Sequence, residues 1–319
     1  MMVRTWLFLL LAVIPMQGAA QRTSVAFWNV ENLYDTLPSL FYDDSDYTPN
    51  GKLHWSKDRY ERKLTHLARV IDEMHADIVG LAEVESETVL RDLVVRLQTD
   101  YNYIHRTTSD RRGMDVALLY KGDKFFPERT ELCDAEAGRE FLRVTGELNG
   151  QPVDLIICHL PSLFNGQAYR MRAFESLGRL ISTIVEDSGQ VVVMGDMNAE
   201  IAYGVFRKTL GELEKQGIIR NLLADAARNG VGSYYYRGKW SMLDHILLST
   251  GLPTGWQVEN AGVFYRDYML GTDRSSQESI GQRMPLRTFQ GTQYIGGYSD
   301  HFPVFAVLRK RTTDVPFGN

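Results

Sequence analysis

The alternation of apolar and polar positions divides the chain into short strands and a few amphipathic helices. Apolar runs that read as buried strands fall at Ser24 to Trp28, Ile78 to Ala82, Val116 to Tyr120, Val153 to Cys158, Val191 to Met194, Ile246 to Leu248 and Val304 to Leu308. Helical spacing is clearest from Lys57 to Met74, where Tyr60, Leu64, Leu67, Ala68, Ile71 and Met74 recur at three- and four-residue steps among charged residues. Ser56 stands where an N-cap is required. Two further helices are predicted, from about Val89 to Leu97 and from about Ala168 to Val185. Strands that dominate, helices interspersed among them and no Pro- or Ser-rich linker predict one α/β domain over residues 21–319. Two segments carry neither period: Thr36 to Trp55, rich in Asp, Tyr and Pro, and Phe264 to Gly297, rich in Gly, Arg, Ser and Gln. Loops of this length usually serve a function or move.

The first twenty residues break the globular pattern. Arg4 precedes the apolar run Trp6 to Met16, and Gly18, Ala19 and Ala20 supply the small residues of a cleavage site. This predicts a removed export signal, a mature chain from about Gln21, and a periplasmic or secreted destination. The run is shorter than the roughly twenty residues that span a bilayer, no Cys stands at the cleavage site to take a lipid, and no later segment reads as a transmembrane helix. An integral membrane protein is therefore not expected. Only two cysteines are present, Cys158 within an apolar strand and Cys133 in a polar segment that reads as a loop. Two free thiols are expected, with a pairing between them left open, and a disulfide-stapled mini-fold is excluded. The formal charge is −5, or −6 once Arg4 leaves with the signal. That balance argues against tight non-specific binding of duplex DNA through a basic surface. It leaves room for single arginines that hold one phosphate beside acids that hold a metal.

The candidate chemistry lies where polar residues follow, or interrupt, one apolar run after another. WNVEN brings Asn29 and Glu31, on one face by alternation; GLAEVE brings Glu83; ICHLPS brings His159. VVVMGDMNAE ends in Asp196 and Asn198, LDH supplies Asp244, and YSDHFPV supplies Asp300 and His301. For the GDMN fragment alone, turn chemistry accounts for Asp and Asn at a strand end. Interior carboxylates, however, cost several kcal/mol unless paired, hydrogen-bonded or bound to a cation. Five strand-end acids beside two histidines point to a shared metal and acid–base site.

WNVEN, LAEVE, HLPS, GDMNA, LDHILL and SDHFPV, in that order from about residue 24 to 309, resemble the endonuclease/exonuclease/phosphatase superfamily. The resemblance implies a four-layer α/β/β/α sandwich of two mixed β-sheets with flanking helices, a site at one end of it, and Mg²⁺-dependent cleavage of phosphate esters, with Mn²⁺ or Ca²⁺ as alternative ions. It implies metal ligation by Glu83 with Asn29, Glu31 and Asp300. It assigns His301 to the scissile phosphate with Asp244 orienting it, Asp196 to the attacking water, Asn198 to phosphate, and His159 to phosphate or leaving group. Glu31 stands where many members carry Asp. Asp115, in DVALLY, is a candidate to orient His159, and Arg111, Arg112 and Arg287 are candidate substrate contacts. His54, His66, His75, His105 and His245 are read as structural.

An exported nuclease acting on DNA or RNA is the first expectation, because the surroundings of WNVENLYD and GGYSDHFPV look most like those of secreted nuclease-like members. The segment YYYRGKW, Tyr234 to Trp240, offers aromatic and basic residues for a nucleic-acid strand, and equally reads as a hairpin with edge aromatics. A phosphomonoesterase, or a phosphodiesterase of phospholipids or inositol phosphates, is the enzymatic alternative. A non-catalytic binding protein on the same scaffold is the alternative of another class, disfavoured because the site residues are all present.

Overall fold

The computed structural model describes residues 22–187, 189–251, 256–273 and 281–310. The predicted export signal lies outside them. In chain order the strands are β1 (Arg22–Leu33), β2 (Ile78–Val84), β3 (Asn102–His105), β4 (Asp115–Tyr120), β5 (Phe125–Cys133), β6 (Phe141–Leu148), β7 (Gln151–His159), β8 (Val191–Asp196) and β9 (Ile219–Asn221). They continue with β10 (Tyr234–Tyr236), β11 (Lys239–Ser241), β12 (Asp244–Ser249), β13 (Trp256–Val263), β14 (Leu270–Thr272), β15 (Arg283–Pro285), β16 (Phe289–Gln290), β17 (Gln293–Tyr294) and β18 (Val304–Lys310).

Twelve of these strands form two six-stranded mixed sheets, ordered β13-β18-β1-β2-β4-β3 and β5-β6-β7-β8-β12-β9. Each sheet holds one parallel pair at its centre, β1 with β2 and β7 with β8, and is otherwise antiparallel. Parallel neighbours need a crossover connection. Helix α1 (Lys57–Met74) supplies it for the first pair, and a later helix, Gln167–Glu186, for the second.

Side-chain alternation builds the layers. Val25 and Phe27 of β1 meet Leu155 and Ile157 of β7 and Val192 and Met194 of β8 in a core between the sheets. Ala26 and Trp28 point the other way, against Leu64, Leu67 and Ile71 of α1. Ile156, Cys158, Val191 and Val193 likewise pack on Phe174, Leu177 and Ile181 of the second crossover helix. The result is the four-layer sandwich expected. At Gly80 the sheets are in close contact: a Cβ there would stand 2.8 Å from the Met194 sulfur.

Helix α1 has the predicted bounds, and the Ser56 side chain accepts from Arg59 N. The helix expected from Val89 is Glu87–Val94, because Ser86 caps it and accepts from Val89 N. Cys133 is not in a loop: it ends β5, an edge strand whose alternation is weakened by exposed residues such as Phe126. Both cysteines are free. The two unpatterned segments are joined by aromatic contacts. Rings of Tyr47 and Trp55 from the first lie 6.2 and 5.7 Å from Phe289 of the second, which carries the β14–β15 and β16–β17 ribbons. Among the described residues no helix is long and apolar enough to cross a membrane.

Candidate active site

The carboxyl ends of β1, β2, β7 and β8 emerge at one end of the sandwich, and the antiparallel β12 starts there beside Asp196. Here the backbone leaves regular geometry. Glu31, Asn32, Glu83 and Asn198 have φ of 54°, 48°, 65° and 49°, in the left-handed region that costs a non-glycine residue about 1 kcal/mol or more. The β1–β2 ladder shifts register between Asn29 and Leu33. Such bulges re-aim side chains, and here they turn a strand end's polar groups toward one another.

Asn29 stands at the centre. Its Nδ2 donates to Glu83 Oε1 at 3.1 Å and to Asp196 Oδ2 at 3.0 Å. Glu83 Oε2 accepts from Asn32 N at 2.7 Å, and Asp196 Oδ1 from Asn198 N at 2.8 Å. His301 Nδ1 meets Asp244 Oδ2 at 2.7 Å, which leaves Nε2 3.8 Å from Asp196 Oδ2. His159 Nε2 stands 3.7 Å from both Glu83 Oε1 and Asp196 Oδ2. The Tyr234 ring packs on the His301 ring at 4.8 Å.

The environments push the two histidines apart. Burial opposes charge on His301, but Asp244 and Asp196 outweigh it and hold its pKa well above the usual value. Burial, with Arg139 and Arg112 nearby, holds that of His159 well below. Asp196 is pushed up to about 7 by burial, with the His301 charge opposing and the Asp244 charge adding. Divergent neighbours of this kind separate proton donor from proton acceptor.

Asn29, Glu83, His159, Asp196, Asn198, Asp300 and His301 line one cleft of about 960 Å³ together with Arg111 and Arg112. Asp244 lies buried behind His301. Glu31 and Arg287 stand to the side. Glu31 Oε2 accepts from Thr288 N at 2.6 Å and Oε1 from Arg287 Nε at 3.3 Å, while Arg287 Nη2 donates to Asp300 Oδ2 at 2.8 Å. Asp115 does not orient His159. Its carboxylate faces His105 Nε2 at 3.0 Å and accepts from Thr108 N and Oγ1, so it anchors the turn that carries Arg111 and Arg112. His245, as expected, is structural, bonded to Ala199 O and Asn221.

Three cations escaped the sequence reading. Lys63 is buried, donates to Thr288 Oγ1 and Tyr298 O, and stands 3.9 Å from Glu31. Its signal was present: it falls within the apolar stripe of α1, three residues after Tyr60. Arg170, buried in the second crossover helix, donates to Pro161 O and Asn198 O. Arg139 lines the cleft and pairs with Asp110 at 2.8 Å. Arg170 carried the same signal as Lys63, standing on the apolar stripe of its helix with Phe174, Leu177 and Ile181; Arg139 had none.

Two groups could hold a cation. Asp196, Asp244 and His301 offer ligand atoms within 4.8 Å of one another, but Asp244 already accepts from His301, and a ligating imidazole must be neutral. Glu83, partly open to the cleft, offers the hard carboxylate oxygens that suit Mg²⁺, while Asn29 turns its amide N–H toward them and its Oδ1 toward Glu31 N.

This fold and its clustered acids and histidines define a phosphoester hydrolase of the α/β/β/α type. The family model for the endonuclease/exonuclease/phosphatase family matches residues 24–310, and the chain belongs to that family. Among solved structures it is similar to a family member from Bacteroides thetaiotaomicron (16% identity, 92% of this chain and 99% of that one, TM-score 0.59). It is also similar to the mannosyl-6-phosphatase of B. thetaiotaomicron VPI-5482 (18%, 90% and 99%, 0.57) and to truncated TDP2 of Caenorhabditis elegans (14%, 90% and 98%, 0.56). At these identities the likeness is one of fold. No curated protein matches the chain.

Proposed function

We propose that the protein is an exported, divalent-cation-dependent phosphodiesterase whose substrate is nucleic acid. The observation that carries this reading is the Asn29 amide, which donates at once to Glu83 and to Asp196 and so joins a cation-holding carboxylate to an acid–base group. Glu83 would hold Mg²⁺, with Asp300 in the lining of the same cleft and the Asn29 amide fixing the Glu83 carboxylate. When bound, the ion would neutralise charge on the scissile phosphate and on the departing oxygen.

The protein's own groups do the rest. Asp196, fixed by Asn29 and by Asn198 N, aligns a water for in-line attack and takes its proton. Asp244 holds the His301 ring, which presents a protonated Nε2 to a phosphoryl oxygen. His159 presents Nε2 from the other side, and Asn198, whose Nδ2 donates to Leu160 O at 2.9 Å, keeps a second N–H for phosphate. Preorganised donors of this kind stabilise the charge that develops on the transferring group.

For nucleic acid, support comes from the cleft walls. Arg111, Arg112 and Arg139 lie beside the aromatic rings of Phe164, Tyr169, Tyr234 and Tyr236, the combination that receives a single strand. For export, support comes from the leader read in residues 1–20, whose removal would leave the mature protein in the periplasm or outside the cell. A hydrolysis panel tests the reading: plasmid, single-stranded RNA, inositol phosphates, mannose 6-phosphate and sphingomyelin, with Mg²⁺ or EDTA, and an Asp196→Ala control. Mg²⁺-dependent cutting of plasmid or RNA, lost in the control, supports it. Cleavage confined to a monoester or lipid replaces the substrate, and no cleavage by folded, metal-loaded protein moves a binding role to the front.

A further inference from the structure

A second, smaller cavity of about 260 Å³ adjoins the cleft, and Tyr236 and Asp300 border both. Its far wall is the tip of the β10–β11 hairpin. Tyr236 pairs with Lys239 across a two-residue turn in which Arg237 and Gly238 have φ of 46° and 82°. Positive φ at both central positions is the pattern of a type I′ turn, which favours Asn or Gly where this chain has Arg. The arginine is exposed, its guanidinium lies 5.2 Å from the Tyr236 ring, and among the described residues it forms no ion pair. The other charged residues of the lining are engaged: Arg287 pairs with Asp300 and Glu31, and the buried Asp273 accepts from the Tyr235 hydroxyl at 2.9 Å.

We infer that this cavity is a subsite for the phosphate next to the scissile one, with Arg237 as its cation and Tyr236 as the platform for the intervening base. The inference rests on the nucleic-acid reading and deepens it. Arg111, Arg112 and Arg139 lie on the main cleft's side of Asp300 and Arg237 on the other. Positive charge therefore flanks the acidic centre on both sides, which fits a polyanion that continues past the cleaved bond in both directions. A monoester with a single phosphate, such as mannose 6-phosphate, has no second phosphate to place there.

The test is the salt dependence of KM for a single-stranded oligonucleotide, measured on the wild type, Arg237→Ala and Arg237→Lys. One phosphate contact on a single strand contributes about 0.7 to the slope of log affinity against log salt. Arg237→Ala is expected to lower the slope by about that amount and to raise KM about tenfold at low salt. Arg237→Lys is expected to restore the slope. Equal slopes in the wild type and Arg237→Ala overturn the subsite while leaving the nuclease reading intact. A wild type that hydrolyses bis(p-nitrophenyl) phosphate but cuts no oligonucleotide overturns the nucleic-acid reading and the subsite with it.

Discussion

The two crossover units, β1–α1–β2 and β7 with its helix and β8, are built alike and offer different chemical groups. Each ends in a parallel pair whose carboxyl ends bear polar residues, and each crossover helix sends one buried cation beneath the site. The first pair ends in Asn29, Glu31 and Glu83, an oxygen-rich edge, and its helix contributes Lys63, bonded to the late loop at Thr288 and Tyr298. The second ends in His159, Asp196 and Asn198, a proton-handling edge, and its helix contributes Arg170, bonded to the carbonyls of Pro161 and Asn198. A shared scaffold leaves the strand-end side chains to decide whether an edge holds an ion or moves a proton.

The largest expected effect comes from Asp196 on the proton-handling edge and from His301, which faces it with its Nε2 3.8 Å from Asp196 Oδ2. His301→Ala and Asp196→Ala should each lower turnover at least about a hundredfold in steady-state assays of folded protein. Turnover equal to wild type in either would remove that residue from the mechanism. Next come the two cations. Lys63→Met leaves Glu31, Thr288 and Tyr298 short of a donor and should cost about 3 kcal/mol in urea unfolding. Arg170→Met, which strands two carbonyls, should cost about 2 kcal/mol.

Lys63 also has a pH signature. Burial lowers its pKa from 10.5 to about 8, with Glu31 and Asp300 opposing. Between those values the unfolded chain binds a proton that the folded one has released, so stability at this position rises with pH there and is flat below. The unfolding free energy of the wild type relative to Lys63→Met should increase from pH 8 to pH 10; a decrease would contradict the burial of a strained charge. The smallest effect should come from Asp115→Asn, which loosens the turn carrying Arg111 and Arg112. KM should rise about threefold with kcat nearly kept, an effect of the size of a lost surface-loop anchor.

Much of this was legible in the sequence because strand ends carry their chemistry in order. Asn29, Glu83, His159, Asp196, Asn198, Asp300 and His301 come together in one cleft, and Asp244 does back His301. What stayed hidden needed knowledge of neighbours. Asp115 faces His105 because β3 lies beside β4, with His105 opposite Ala117, and no local pattern announces that pairing. Glu31 stands two residues after Asn29, where alternation predicts a shared face, yet its left-handed backbone turns it toward Thr288 and Arg287. Lys63 was masked because a lysine inside an apolar stripe usually snorkels to solvent. Strand β5 was missed because it is an edge strand and one face of it is open to solvent, whereas β6 alternates, with Leu142, Val144 and Leu148 in the core between the sheets, and its period was there to be read.

The separation of the cation-holding carboxylate from the proton-handling groups is tested most directly by Mn²⁺ affinity, read by electron paramagnetic resonance, for the wild type, Glu83→Gln and His301→Ala. Loss of affinity by at least about tenfold in Glu83→Gln, with wild-type affinity in His301→Ala, is the predicted result. Retained affinity in Glu83→Gln and lost affinity in His301→Ala would place the ion among Asp196, Asp244 and His301 and contradict the account.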